Sequence, residues 1–161
     1  MRVFANLPDF TSATPSTFIE HKELRRLLDG MIRSAKLSFE KTGNLLPFAM
    51  TLNDQGKIAQ LALADRDERL VGDVSPIIEN GLKLIAQQTT CKAVGFCSEI
   101  RVLNGSKAIG QAEIVFLVEH RDGCAYRVVI PDFLEPKYWN AVRTAPRFFT
   151  RTNPFSASTR W

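Results

Sequence analysis

The sequence predicts an α+β fold: a two-layer domain in which a five-stranded antiparallel sheet carries helices in the order α-β-β-α-β-β-β. Three observations lead to it. In the second half, apolar runs at 93–103, 111–120 and 124–130 are punctuated by Asn104-Gly105, Arg121-Asp122-Gly123 and Pro131. Asn-Gly and Asp-Gly tolerate the positive φ angles of tight hairpins, so these runs read as a three-stranded meander. Upstream, two segments repeat apolar residues every three or four positions, the period of an amphipathic helix. Between those segments lie two short apolar runs joined by a polar turn containing glycine.

The first 16 residues read as a loose leader, because Thr11-Ser12-Ala13-Thr14-Pro15-Ser16 has no apolar periodicity. A helix is expected to begin near Ser16 or Thr17. Thr17 and Glu20 have capping-box spacing, in which each side chain serves the other's free backbone N–H. Leu24, Leu27, Leu28, Met31, Ile32, Ala35 and Phe39 then form one stripe, opposite Lys22, Arg25, Arg26, Arg33 and Lys36. Gly43-Asn44 supplies the stop. The hairpin that follows places Phe48, Met50 and Leu52 on one face, turns at Asn53-Asp54-Gln55-Gly56 and returns over 57–63. Pro47 cannot donate to a ladder and belongs at the strand's start or on an edge.

Beyond the charged connector Asp65-Arg66-Asp67-Glu68-Arg69, Asp73 or Ser75 can cap a second helix with Pro76 in its first turn. Ile77, Ile78, Leu82, Leu84 and Ile85 give it an apolar face. In the meander, period-two patterning buries Val94, Phe96, Ile114, Phe116, Val118, Val128 and Ile130. The domain thus spans 17–130, and residues 131–161 form an irregular aromatic and basic extension packed on the domain or on a partner.

The element order resembles that of the roadblock/longin/profilin-like group, small domains that act by binding other proteins or by forming dimers. The likeness covers 17–130 and is one of topology. A second resemblance is to small bacterial proteins of unassigned function with a Gly-x-Leu-x-Pro-Phe-Ala hairpin and a later Glu-His-Arg-Asp-Gly turn. Gly43, Leu45, Pro47, Phe48 and Ala49 match the first, and Glu119 to Gly123 the second. Neither resemblance brings an activity with it.

Composition narrows the function classes. No apolar run reaches the ~20 residues that span a bilayer, and Met1 to Pro8 lacks the apolar core of a signal peptide, so a cytoplasmic protein is expected. Cys91, Cys97 and Cys124 show no metal-ligand spacing and read as reduced structural thiols. The net charge of +4 sits in the tail: Arg143, Arg147, Arg151 and Arg160 follow the last acid, Glu135. A basic tail is a weaker sign of phosphate binding than a basic body.

No catalytic, cofactor or metal constellation is legible. His21 and His120, the only histidines, each read as solvated; a thiol–imidazole pair of Cys124 with His120 would lack an orienting group. Glu99, Glu113 and Glu119, with Arg101 and Arg127, read as a solvent-facing side of the sheet with cross-strand ion pairs. The candidate interface is therefore the extension: Tyr138, Trp139, Arg143, Arg147, Phe148, Phe149, Arg151, Phe155 and Trp161. Such residues suit self-packing, a protein partner or second copy, or single-stranded nucleic acid. The leading expectation is a non-enzymatic, self-associating binding or regulatory module without cofactor. An enzyme using carboxylates and arginines of the sheet face and a nucleic-acid binder are the alternatives.

Overall fold

A computed structural model describes residues 2–6, 19–43, 45–61, 74–101, 112–131, 133 and 138–149. Among the described residues the chain is an α+β domain with an antiparallel sheet and two helices, as the sequence predicts. Its elements run β1 (Arg2–Asn6), α1 (Lys22–Thr42), β2 (Phe48–Asn53), β3 (Ile58–Leu61), α2 (Ser75–Ala86), β4 (Cys91–Arg101), β5 (Ala112–His120), β6 (Ala125–Pro131) and β7 (Tyr138–Arg143). The sheet has seven strands in the order β1-β7-β6-β5-β4-β2-β3, every neighbouring pair antiparallel.

The two strands beyond the expected five lie at one edge. Residues 131–161 read as irregular because prolines flank a six-residue run with Asn140 in it. That run is nonetheless β7, which pairs Val129 with Asn140 and Tyr126 with Arg143. Period two explains it: Trp139 and Ala141 point together into the core under α1. β7 in turn pairs with β1, from Arg2 opposite Val142 to Asn6 opposite Tyr138. Residues 2–6 are therefore a strand where a leader is expected, and 7–18 lie outside the described residues.

Helix α1 buries Leu24, Leu27, Leu28, Met31, Ile32, Ala35 and Phe39, the stripe read from the sequence. It starts at Lys22, later than expected, with His21 as an N-cap that makes no side-chain capping bond. The reason lies just upstream, where Ile19 is fully buried. The Arg25 guanidinium donates twice to the Ile19 carbonyl, at 3.0 and 2.8 Å, holding that segment extended against the core. At the other end Gly43 is left-handed at φ 72° and donates its N–H to the Phe39 carbonyl. The β2–β3 turn is also as expected: Asn53 Oδ1 accepts from the N–H of Gln55 and Lys57, and Gly56 takes φ 78°.

The layers number three where two are expected. Phe48, Met50, Leu52, Ala93, Cys97, Phe116 and Val118 pack beneath α1. Ala49, Val94 and Phe96 point the opposite way, where they meet Ile78, Leu82 and Ala86 of α2 together with Phe148 and Phe149. β4 reads Ala-Val-Gly-Phe-Cys without a polar position, the mark of a strand buried on both faces. All seven residues named from the meander pattern are buried. Asn104-Gly105 lies outside the described residues.

Candidate functional site

The β5–β6 turn is built as its sequence predicts. Gly123 takes φ 99° and donates to the His120 carbonyl, while the Cys124 N–H donates to Asp122 Oδ1 at 2.9 Å. This fixes His120 and Asp122 side by side at the rim of the sheet. The fold then brings in the start of α1. His21 Nε2 lies 2.7 Å from Asp122 Oδ2, and the two imidazole rings are 4.1 Å apart between centroids. Residues 101 positions apart in sequence thus share one site, and the two histidines are partners where the sequence suggests two solvated residues.

The protonation pattern of His120 follows from its neighbours. Its Nδ1 accepts from the backbone N–H of Asp122 at 3.1 Å. The proton therefore sits on Nε2, which donates to Glu23 Oε1 at 3.0 Å. Lys92 Nζ lies 3.6 Å from the other Glu23 oxygen. Burial raises the Glu23 carboxyl, but the His120 hydrogen bond and the charges of Lys92, His120 and His21 outweigh it, and the net shift is downward from 4.5. Burial likewise raises Asp122, and the Cys124 N–H and both histidines carry it below 3.8. Both acids are thus held as carboxylates beside the imidazoles. The side chains of His21 and His120 are 20% and 12% exposed, and Asp122 opens to solvent at 52%.

A second arrangement lies on the α2 side. Glu119 is 2% exposed, and its carboxylate accepts the successive N–H groups of Arg147, Phe148 and Phe149. It is neither solvent-facing nor in an ion pair across strands, as the sequence suggests. Even spacing puts it on the sheet face that the returning chain crosses. Arg147 is exposed and pairs with Glu79 of α2 at 2.9 Å. Arg121 ties the same region together by donating to the carbonyls of Ala86, Gln88 and Cys91 and lying over the Phe149 ring. Beside α2, Phe96, Ser98, Val115, Leu117 and Phe148 line a hollow of about 380 Å³.

The predicted interface residues separate. Trp139, Phe148 and Phe149 are buried in the chain's own two cores. Arg143 lies over the Tyr126 ring. Tyr138 is in β7, and Arg151, Phe155 and Trp161 lie outside the described residues. Burial, with the neighbouring Cys124 thiol, raises the Tyr126 hydroxyl. Burial raises the Cys91 and Cys97 thiols, which keeps both protonated and unreactive.

α2 has a feature the sequence shows only in part. Ile78, Leu82 and Ala86 face the sheet, while Ile77 and Leu84 are 47% and 66% exposed on the far side. Gly81 lies between them, with open space where a Cβ would sit. The i, i+4, i+7 spacing makes this a second stripe. No described helix is long and apolar enough to cross a membrane. Comparison of the chain with family models, with curated proteins and with solved structures found no match in any of the three.

Proposed function

We infer that the chain is a non-enzymatic, cytoplasmic binding module that self-associates through the outer face of α2. The observation that carries this reading is the exposure of Ile77 and Leu84 on a helix whose other face is already satisfied by the sheet. Large apolar side chains grouped around a glycine are costly to leave in water, and such groups mark contact surfaces. A second copy is the occupant that fits the shape. Under a two-fold axis through Gly81, antiparallel helices place Ile77 of one copy against Leu84 of the other, and the missing side chain at the crossing lets the backbones approach. The element order, which resembles that of a group of protein-binding and dimerising domains, supports the same reading.

The test is size-exclusion chromatography with light scattering on the wild type and on Leu84→Glu. Leu84 is mostly in solvent, so the substitution leaves the core intact. Wild type is expected as a dimer and the variant as a folded monomer. Identical masses for the two would remove this face from the account, and a wild-type monomer that binds a different protein through α2 would replace the second copy with that partner.

A further inference from the structure

We propose that His21, His120 and Asp122 form a binding site for a divalent transition-metal ion, with Glu23 orienting one of the ligands. The proposal is independent of the α2 face. One ligand atom from each of the three residues lies within 4.8 Å of the other two. In a tetrahedral zinc site with bonds of about 2.0–2.1 Å, neighbouring ligand atoms stand roughly 3.3 Å apart. His120 Nδ1 and Asp122 Oδ2 are at 3.3 Å already. His21 Nε2 and Asp122 Oδ2, at 2.7 Å, need open by only a few tenths of an ångström.

The chemistry of each donor agrees with this. Glu23 accepts the hydrogen bond of His120 Nε2–H, which leaves Nδ1 as the lone-pair nitrogen; it now accepts the Asp122 backbone N–H and lies 3.3 Å from Asp122 Oδ2. A carboxylate behind a histidine, fixing its tautomer and ring plane, is the outer shell that metal-bound imidazoles have. Asp122 is fastened from behind by the Cys124 N–H on its other oxygen. His21 would present Nε2 to the ion with its remaining ring proton on Nδ1. The ion displaces the Nε2–H···Oδ2 contact and the Asp122 N–H bond to Nδ1. The exposed side of Asp122 gives the ion its entry and leaves the fourth position to water. Two imidazoles and one carboxylate suit zinc, cobalt or nickel better than calcium or magnesium, which take oxygen ligands. Bound there, the ion would pin the start of α1 to the β5–β6 turn.

The experiment titrates the full chain, stripped with a chelator, with Zn²⁺ by calorimetry and with Co²⁺ by absorption. One equivalent of each is expected to bind, with a cobalt spectrum free of thiolate charge transfer. Asp122→Asn and His21→Gln should each weaken Zn²⁺ at least 100-fold, and Glu23→Gln about tenfold, in the range of outer-shell substitutions. Circular dichroism establishes that each variant is folded, and Asp122, half in solvent, is the safest of them. Absence of binding by wild type overturns the proposal. So does an affinity unchanged in Asp122→Asn, or a thiolate band, which would place the ion on cysteine.

Discussion

Glu119 is a charge carried into the interior and matched there by backbone. Three consecutive N–H groups converge on its two oxygens, at 2.5 to 3.1 Å. The carboxylate therefore holds residues 147–149 on the sheet and lets Phe148 and Phe149 complete the α2-side core. Hydrogen bonds to a charged group contribute about 1.5–3 kcal/mol, and orphaned buried donors add to the loss. Glu119→Ala is expected to lower stability by about 3 kcal/mol, read from the urea midpoint, and to expose the chain after Arg147 to trypsin. Glu119→Gln keeps one acceptor oxygen and should lose less. An unchanged midpoint in the alanine variant would show that the three contacts contribute nothing. At the same scale, the partnership of His21 with His120 was beyond reach of the sequence. Nothing in either local pattern encodes a contact between residues so far apart in sequence; only the packing of α1 on β5 and its neighbours creates it.

At the scale of elements, the α1–β4 contact sets how close helix and sheet can come. Gly95 faces α1, and a Cβ there would overlap the sulfur and methyl of Met31, which is itself fully buried. Overpacking of this kind costs roughly 1–3 kcal/mol. Gly95→Ala should be destabilised within that range, and Met31→Ala in the same chain should recover part of the loss, a coupling that a double-mutant thermal-unfolding cycle measures. Additive effects would mean that α1 stands off the sheet. Elements with strong local signals were legible: α1 from its stripe and Gly43, the β2–β3 turn from Asn53 and Gly56, β5 and β6 from Asp122-Gly123. β7 was not, because Trp139 and Ala141 are too few to establish a period between prolines. The side on which α2 lies was also hidden. β4 is apolar at every core position, and such a strand gives no clue to which face a given helix covers.

At the scale of the whole molecule, the described residues form one sheet with a helix on each face, and the two faces are finished differently. Under α1 the core is closed by Phe133 and Trp139. On the other face α2 covers β4 and β2, and its own outer side keeps Ile77 and Leu84 in water. That asymmetry is the ground for the proposed association through α2, while the histidine cluster lies at the turn between β5 and β6. Sedimentation equilibrium of the wild-type chain, over a range of concentrations, is the most direct test. The account predicts a mass that rises from 18.1 kDa toward twice that value as concentration increases, and stays at 18.1 kDa at every concentration for Leu84→Glu. A wild-type mass fixed at that of one chain throughout would contradict it.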